Sequence, residues 1–548
     1  MRSPMQRRRF LGAMGLASTA GALHWPSSPL TPGSAVQTGA AASPGEAEPR
    51  GVVLSAVSAV TSMDPALSVD TETERVCRQV FETLVGIDGE TGATAPLLAT
   101  DWEASRDGLT YTFTLREDVQ FHDGSELTAE VVVANFQRWG RMNELLGGGA
   151  PARTTLAFES LFGGFFDDED CLLQSIEAPA EFTVELTLSE PLVFLPQALA
   201  MPAFGIASAE VLSDSDPGLL AREPRGTGAY RLVSVSADEV VLEAFEDYWG
   251  GEPPAERAVV RTLPRSFDRL RELQRGGIDV YDYITADNLR SLVQSGRLIL
   301  QRDPFSVLYL GFNLDHPVMG DPEVREAAAR AINLTTLVES YFLEGSRPAY
   351  QFTPAALGVH SEESARYGYN VEEAQELLAE TGYDGEPLRF YYPMNATRSY
   401  FPRPEAVFAS IARDLTAVGF NIVPRPVSWD DGYVDSLLDD DQRAMHLLGR
   451  NGGYRSPHSF FGPLFSHQTT EFNYDSPEVR ELIRSARSEN GEQSRNDIYR
   501  EIADLVAEDL PALPLVHPIS GVALGRGVAD YPMSPVLHEL FKDIIPAD

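Results

Sequence analysis

The chain has 548 residues, which is too long for one hydrophobic core and predicts two or more domains. Its formal net charge is −38, and a surface this acidic repels phosphate backbones, so the composition argues against nucleic acid as a partner. After the first 25 residues, no apolar run is long enough to span a membrane.

The N-terminal residues predict export from the cytoplasm. Arg7-Arg8-Arg9 precede a short apolar stretch at residues 11–23, and these two features are typical of a signal peptide. The arrangement Arg-Arg-x-Phe-Leu is similar to a twin-arginine signal, and an ordinary secretory signal rich in arginine is the alternative. We therefore predict a signal peptide at residues 1–25 and a flexible linker at residues 26–50, which are rich in Ser, Pro, Gly and Ala.

The two cysteines, Cys77 and Cys171, leave the redox question open. Nothing in the sequence fixes their proximity, so a disulfide and two free thiols are both compatible with it. Cys77 lies on the apolar side of a predicted helix, which favours a buried free thiol. No Cys/His cluster has the spacing of a zinc site, and we predict neither a metal site nor a cofactor.

The first half of the chain carries both strand and helix signals. Apolar and polar residues alternate at 109–115 and again at 182–188, which predicts half-buried strands. A helix is predicted at residues 73–84, where the apolar residues share one face, and a second helix starts at Thr128. The remaining predicted elements of this half are strands at 52–60, 230–233, 240–245 and 278–280 and a helix at 267–276.

The second half continues in the same mixed pattern. A strand at residues 307–313 precedes a helix that Asp321 can cap, with Pro322 at the first helical position and Glu323 at the positive end. The whole chain therefore predicts a two-layer α/β protein with two or three lobes. The later predicted elements are helices at 371–381, 403–418 and 493–508 and strands at 388–392, 421–426 and 513–516.

Several short segments, taken in order, resemble one protein family. Together they are similar to solute-binding protein family 5, the peptide and nickel branch of the periplasmic substrate-binding proteins of ABC transporters, over about residues 52–540. The segments are Phe81-Glu82-Thr83-Leu84-Val85, residues 96–103, residues 107–119, Phe121-His122-Asp123-Gly124, residues 127–132, Gly226-Thr227-Gly228-Ala229-Tyr230, Asp247-Tyr248-Trp249-Gly250, Asn313-Leu314, Val324-Arg325-Glu326-Ala327 and Ala331-Ile332-Asn333.

The resemblance implies an α/β periplasmic-binding-protein fold of the large, three-subdomain type, with hinge strands and an inter-lobe cleft that closes on a ligand. It implies lobe I at residues 51–305, with a small subdomain at about 85–215. Lobe II then covers residues 306–516, and residues 517–548 return to lobe I. We place the two hinge crossings near residues 303–307 and 516–520.

The segment at residues 447–461 corresponds to a ligand-contacting strand and loop of the family. In peptide binders it usually reads Gly-Trp-x-x-Asp, and the aspartate holds the α-ammonium of the peptide. Here Arg450 stands at the tryptophan position and Gly453 at the aspartate position. A buried ammonium without a carboxylate costs several kcal/mol, which argues against binding ordinary peptides through this contact. Arg450 either offers a fork for a carboxylate or phosphate, or points to an acidic residue of the opposite lobe.

Other candidate ligand contacts follow from resemblance or position. Pro457-His458-Ser459-Phe460 resembles the Pro-His-x-Phe of nickel-binding members, whose histidine meets a metal chelate; a loop histidine without a ligand role is the alternative. Aromatic and polar residues at strand ends suit a mid-sized organic ligand, and core or surface positions are the alternative for them. The predicted ligand-binding residues are Arg450, Asn451, Gly453, Tyr454, Trp429, Tyr281, Tyr283, Phe312, Asn313 and His458.

These observations predict the extracytoplasmic substrate-binding component of an ABC importer, a monomer in the periplasm or on the outer face of the cell membrane. It captures a peptide or similar mid-sized organic solute and delivers it to ABC permease subunits, without catalysis. The alternatives are a nickel or metal-chelate receptor of the same fold, a sensor module without transport, and an exported hydrolase. The hydrolase is disfavoured because the sequence has no Gly-x-Ser-x-Gly elbow, no His-Glu-x-x-His and no Ser-x-x-Lys set.

Overall fold

A computed structural model describes residues 51–68, 70–146, 156–213, 216, 218–364 and 366–547. The predicted signal peptide and linker lie outside the described residues. Strands and helices are mixed along the described chain, as predicted. The strands are β1 Gly51–Ala56, β2 Val85–Ile87, β3 Thr94–Pro96, β4 Ala99–Ala104, β5 Thr110–Leu115, β6 Leu173–Ala180, β7 Thr183–Leu188, β8 Tyr230–Val235, β9 Glu239–Ala244, β10 Arg257–Thr262, β11 Val280–Asp282, β12 Leu298–Arg302, β13 Ser306–Phe312, β14 Arg347–Pro348, β15 Leu388–Met394, β16 Ile422–Ser428, β17 Arg443–Asn451, β18 Ala512–His517, β19 Ser520–Leu524, β20 Val528–Asp530 and β21 Ile545–Pro546.

The helices range from single turns to the eighteen residues of the last one. In the described part of the chain, no helix combines the length and the apolar character that crossing a bilayer requires. The helices are α1 Thr71–Val80, α2 Ala129–Gly140, α3 Met142–Leu145, α4 Ala157–Phe162, α5 Leu195–Ala198, α6 Ala209–Ser213, α7 Leu219–Arg222, α8 Ser266–Arg275, α9 Ala286–Gln294, α10 Pro322–Ala331, α11 Leu334–Tyr341, α12 Val371–Glu380, α13 Pro404–Val418, α14 Tyr433–Asp439, α15 His458–Phe465, α16 Pro477–Ser488 and α17 Glu492–Asp509.

Two large sheets organise the described residues. The sheet of lobe I has seven strands in the order β12-β19-β11-β1-β10-β9-β8, and the sheet of lobe II has six in the order β14-β18-β13-β17-β15-β16. A smaller antiparallel sheet, β4-β5-β7-β6, belongs to what we call the small subdomain. The chain passes from the lobe I sheet to the lobe II sheet at residues 303–305, and it returns at residues 518–519.

Each sheet packs against its own apolar core. In lobe I the buried side chains of β1, β9, β10 and α1 form one cluster, and in the small subdomain those of β5, β7 and α2 form another. Lobe II has a cluster on each face of its sheet, one with α10 and α13 and one with α15 and α17. Cys77 and Cys171 are both buried free thiols, and they lie in different clusters.

Local chemistry explains where the elements begin and end. The side chain of Asp321 accepts a hydrogen bond from the Glu323 N–H with Pro322 at the first helical position, which confirms the predicted cap of α10. The first strand stops at Ala56 rather than at residue 60, because the Val57 N–H donates to the carboxylate of Glu72 and leaves the ladder.

Two further elements, α1 and β11, differ from the predictions at both ends. Helix α1 begins at Thr71, where Asp70 caps two N–H groups, and it ends at Val80 instead of residue 84 because Phe81 has an extended backbone. Strand β11 covers Val280–Asp282 rather than residues 278–280, since the Asp279 N–H pairs with Val53 ahead of the ladder. This shift of two residues places Tyr281 inside the strand.

Candidate functional site

The carboxyl ends of parallel strands meet at one edge of each large sheet. In lobe II, β15 runs parallel to both β16 and β17, so the loops after these three strands share an edge. In lobe I, β1 runs parallel to β10 and β11, and Tyr283 directly follows β11. Such edges are where open α/β sheets bind ligands.

A narrow pocket lies between these two edges, with a free volume of about 10 Å³, which is about the space that one water molecule needs. Its lining combines residues next to the crossings between the sheets with the loop after β15, so both lobes contribute walls. The main lining residues are Tyr283 and Ser520 from lobe I and Tyr341, Arg398, Ser399 and Pro402 from lobe II.

Arg398 is the principal cation of this pocket. Strand β15 ends at Met394, and a short turn in which Arg398 and Phe401 exchange backbone hydrogen bonds fixes the backbone of Arg398. The guanidinium lies 4.3 Å from the ring centroid of Trp429 and donates to the Thr397 carbonyl at 3.2 Å. Within the described residues it has no carboxylate at ion-pair distance, although its side chain is buried. A guanidinium held in this way is available to an anionic ligand group.

A chain of hydrogen bonds joins the two lobes beside this pocket. The Ser399 hydroxyl donates to Asn451 Oδ1 at 2.6 Å, and Asn451 Nδ2 donates to Thr71 Oγ1 at 3.2 Å. Ser399 and Asn451 belong to lobe II, whereas Thr71 is the first residue of α1 in lobe I. The bond between Asn451 and Thr71 therefore links the lobes directly.

The lobe I wall rests on a buried ionic network. Arg302 forms two bonds to Asp282, at 2.6 and 2.9 Å, and its Nε bonds to Glu539 at 2.6 Å. Arg75 extends the network, lying 3.5 Å from Asp282 and 3.4 Å from Glu72. Burial alone would raise the pKa of Asp282, but the two guanidiniums hold it below its ordinary value. This network fixes the end of β11 and therefore the residue that follows it.

Tyr283 lies on top of that network. Its ring centroid is 5.8 Å from the Arg302 guanidinium, and its backbone has a positive φ of 54°, which turns the chain sharply out of β11. A non-glycine residue in this region of φ is uncommon and is held there by its surroundings. Tyr283 is thereby presented to the pocket between the lobes.

The charges of Glu471 in lobe II and Glu74 in lobe I both oppose the effect of burial on the pKa of Arg450. Arg450 Nε donates to the Ser459 carbonyl at 3.0 Å, and burial lowers the pKa of the guanidinium. Burial raises the pKa of Glu74 to about 7, while the charges of Arg78 and Arg450 partly oppose that rise. Of the two alternatives for Arg450, the structure places an acidic residue of lobe I within electrostatic range, but no described carboxylate lies within ion-pair distance of it.

Gly453, Tyr454 and His458 lie where lobe II meets the small subdomain. Tyr454 and His458 stack on Phe194, at centroid distances of 5.6 and 4.2 Å. A Cβ placed on Gly453 would lie 2.9 Å from the sulfur of Met201, so Met201 occupies the space that a side chain at Gly453 would need.

His458 also has partners on its other sides. Its Nδ1 lies 3.2 Å from the Tyr499 hydroxyl, and a Cβ on Gly462 would lie 2.4 Å from its Nε2. Burial lowers the pKa of His458 well below its ordinary value, which keeps the ring neutral. No group of three or more His, Cys, Asp or Glu side chains among the described residues is arranged to hold a metal ion.

Three predicted ligand contacts are placed inside the lobes. Tyr281 is fully buried in the lobe I core, and its hydroxyl accepts a hydrogen bond from Asn288. Phe312 is fully buried in the lobe II core, and Asn313 is bonded to the Arg443 carbonyl at 2.9 Å. Because β13 and β17 are antiparallel, Phe312 pairs with Met445 and lies about 20 Å along the sheet from the Asn451 end.

The structure therefore brings together three of the predicted residues at the pocket or in contact with its lining: Tyr283, Trp429 and Asn451. Sequence reasoning missed Arg398, Ser399 and Thr71. Trp429 was predicted because it follows a parallel strand. The loop after β15 also follows a parallel strand, so the same criterion identifies Arg398 and Ser399. Thr71 had no comparable signal, since only the tertiary fold brings the start of α1 to Asn451.

Comparison with known proteins places this geometry in a family. The family described as bacterial extracellular solute-binding proteins, family 5 Middle, matches residues 93–472. The peptide transport periplasmic protein SapA of Salmonella typhimurium is 29% identical over 502 residues, which cover 87% of this chain and 88% of SapA. Heme-binding protein A of Haemophilus influenzae is 25% identical over 501 residues, which cover 88% of this chain and 89% of that protein.

Solved structures show the same fold. The dipeptide binding protein from Pseudoalteromonas sp. SM9913 in complex with Met-Leu superposes with a TM-score of 0.83 at 22% identity, covering 91% of this chain and 100% of that chain. The likeness confirms the predicted two-lobe periplasmic-binding-protein fold. The family match over most of the chain also confirms the resemblance carried by the short segments. The chain therefore belongs to family 5 of the bacterial extracellular solute-binding proteins.

Proposed function

We propose that this protein is the extracytoplasmic substrate-binding component of an ABC importer, which captures a short peptide or a similar mid-sized solute between its lobes. The closed form with its ligand is what the permease subunits recognise. A ligand shifts an opening equilibrium only by its differential affinity for the closed form, so both lobes must contact it.

The observation that carries the proposal is the pocket between the two sheet edges, with Arg398 on one side and Tyr283 on the other. A binding site of this kind needs an apolar or aromatic wall and a few polar groups that fix orientation. The pocket has both, and the bond between Asn451 and Thr71 closes the lobes beside it.

Arg398 gives the first chemical constraint on the ligand. A buried guanidinium without a carboxylate partner is unfavourable, and an anionic ligand group would compensate it. The free carboxylate of a peptide or of an organic acid fits this role through a charge-assisted hydrogen bond. We therefore propose that the ligand carries a carboxylate, which Arg398 binds while Trp429 supports the guanidinium from its other face.

Glu74 gives the second constraint. The aspartate that holds the ammonium in peptide binders of the family corresponds to Gly453, and Met201 occupies the adjacent space. We propose that Glu74, on the opposite lobe, takes over the ammonium contact. A cation at Glu74 would favour the ionised carboxylate over the protonated form that burial favours.

We also propose the following organisation. Lobe I covers residues 51–305 with the small subdomain at about 85–215, lobe II covers residues 306–516, and residues 517–548 complete lobe I. A twin-arginine signal at residues 1–25 and a linker at residues 26–50 precede them. The mature protein acts as a monomer in the periplasm or on the outer face of the cell membrane, without catalysis and without nucleic acid. Strand β19 supports the C-terminal return, since it pairs with β11 and β12.

The test has two parts. Protein purified without refolding is denatured, and the released small molecules are identified by mass spectrometry; we expect a peptide or another carboxylate-bearing solute. The ligand-free protein is then titrated by calorimetry with di- and tripeptides, organic acids and nickel chelates, and the solution is checked for cleavage fragments. No binding by any class, or turnover of a peptide, would refute the proposal.

A further inference from the structure

A second cavity lies within the lobe I half of the molecule and shares no lining residue with the pocket between the lobes. The space between its atoms measures about 460 Å³ including the mouth, and about 30 Å³ is open to the centre of a water-sized sphere. This is room for a group of a few heavy atoms. Much of the wall is apolar, with Phe81, Leu97, Pro202 and Leu540 among its residues.

His538 is a polar group of this cavity that the protein leaves without a partner. Its side chain is 9% exposed and lines the cavity, and it forms no hydrogen bond with any described residue. Each ring nitrogen keeps some accessible surface, so water or a guest in the cavity can reach it. Burial, together with the nearby Arg78, lowers the pKa of His538 well below its ordinary value, so the ring is neutral.

Arg78 is the second such group. Its Nη1 donates to the Leu537 carbonyl at 2.5 Å and its Nε to the Glu74 carbonyl at 3.3 Å, so the guanidinium is fixed in place by backbone oxygens. No carboxylate among the described residues lies within ion-pair distance of it. Burial lowers the pKa of Arg78, and the charge of Glu74 opposes that change. A guanidinium in this position has donors left for an incoming anion.

The other charged groups of the cavity are already engaged. Glu82 accepts hydrogen bonds of 2.8 Å from Tyr248, Thr227 and Trp249, so its oxygens are satisfied by the wall. The Lys542 ammonium lies 3.0 Å from the carboxylate of its neighbour Asp543. Lys542 keeps two further donors, whereas Arg78 and His538 have no carboxylate partner among the described residues and are the groups that we assign to a guest.

One contact places the cavity next to the face of lobe I that meets lobe II. Ala200 and Pro202 line the cavity on either side of Met201, whose sulfur faces Gly453 of lobe II. In the proposal that follows, a short group of a ligand held between the lobes enters the cavity past Met201.

We propose that this cavity is a second recognition pocket, which accepts a short aliphatic side chain ending in a carboxylate from the ligand held between the lobes. The carboxylate pairs with Arg78, His538 donates a hydrogen bond to it, and the apolar wall encloses the aliphatic stem. The inference rests on the proposed function, because it needs a ligand in the cleft. It assigns a preference for acidic side chains in addition to the carboxylate that Arg398 binds.

The test compares matched tripeptides that differ only by Glu or Gln at each of the three positions, titrated into ligand-free protein by calorimetry. At one position we expect the Glu peptide to bind at least about tenfold more tightly than its Gln partner, since a charge-assisted bond replaces a neutral one. H538L should reduce that ratio to about twofold or less, with the larger loss of affinity for the Glu peptide. H360L, at an exposed histidine, is the matched control and should keep the full ratio.

The possible results distinguish a failure of the second pocket from a failure of the proposed function. Equal binding of the Glu and Gln peptides at all three positions would overturn the second pocket and leave the proposed function standing. Absence of binding by both sets would overturn the second pocket; only if organic acids and the other solute classes also fail to bind is the proposed function overturned with it. If H538L fails to fold, judged by circular dichroism, A229L narrows the same cavity from another wall and should reduce the ratio in the same way.

Discussion

The two walls of the inter-lobe pocket treat charge in opposite ways. On the lobe I wall, Arg302 is bonded to both Asp282 and Glu539. On the lobe II wall, the cation Arg398 has no carboxylate at ion-pair distance among the described residues. The first wall therefore compensates its charges internally, whereas the second leaves one positive charge without such a partner. The comparison predicts that the same kind of substitution affects folding on one wall and binding on the other.

The largest expected effect comes from breaking the lobe I network. R302M leaves the carboxylates of Asp282 and Glu539 buried without their partner, and we expect the free energy of unfolding to fall by about 3–5 kcal/mol. Urea denaturation followed by circular dichroism measures this loss.

The control for that loss is R231M, which breaks an exposed pair between Arg231 and Glu243 on the lobe I sheet. Exposed pairs contribute less than about 1 kcal/mol. Equal losses in R302M and R231M would show that the network does not stabilise lobe I. If R302M does not accumulate as folded protein, E539Q probes the same network with a smaller change.

The next effect is on binding and comes from the lobe II wall. R398Q removes a charge-assisted bond to the ligand carboxylate, and we expect the affinity for a dipeptide to fall by about 10- to 100-fold. Because Arg398 has no carboxylate at ion-pair distance among the described residues, its loss should not lower the free energy of unfolding by more than about 1 kcal/mol. Calorimetry with a dipeptide and with its C-terminal amide measures the binding effect.

The amide makes the experiment specific. The wild type should prefer the free carboxylate, and R398Q should bind both forms about equally. R413Q, at an exposed arginine of α13, should behave as the wild type does. An R398Q protein that still prefers the carboxylate would assign that contact to another residue.

The sequence predicted the scaffold better than it predicted the site. Alternating strands and the cap at Asp321 depend on neighbours within a few residues, so local patterns identify them. Strand β11 was predicted two residues too early in the chain. For that reason Tyr281 was predicted as a ligand contact, although it is a buried core residue. The site itself is built from segments that are hundreds of residues apart, as with Thr71 and Asn451, and no local pattern identifies such a pair.

A smaller effect concerns Glu74 and depends on pH. Its pKa rises from 4.5 to about 7 in the folded chain, so between these values the folded state holds a proton that the unfolded state has released. The stability that this proton contributes is complete below pH 4.5 and is lost as the pH rises to about 7. E74Q should therefore gain stability relative to the wild type at pH 7.5 and much less at pH 5.

Urea midpoints of both proteins at the two pH values measure this difference. E376Q, at an exposed residue of α12, is the control. The difference between its urea midpoint and that of the wild type should be the same at both pH values. A constant difference between E74Q and the wild type would mean that Glu74 does not titrate in this range. Binding of a cationic ligand should also weaken below about pH 7 in the wild type, because Glu74 must then lose its proton first.

The smallest expected effect concerns the hydrogen bond between Asn451 and Thr71, which joins the two lobes. T71V removes the acceptor of Asn451 Nδ2 without changing the size of the side chain. A neutral hydrogen bond contributes about 0.5–1.5 kcal/mol, so the ratio of closed to open protein without ligand should fall by about 2- to 10-fold. Fluorescence energy transfer between labels on the two lobes measures that ratio, and T416V on the exposed face of α13 should leave it unchanged. Because Thr71 does not bind the ligand in this scheme, saturating ligand should close T71V as fully as the wild type. Incomplete closure of T71V at saturating ligand would instead indicate that Thr71 contacts the ligand. The lobe I wall would then take part in binding.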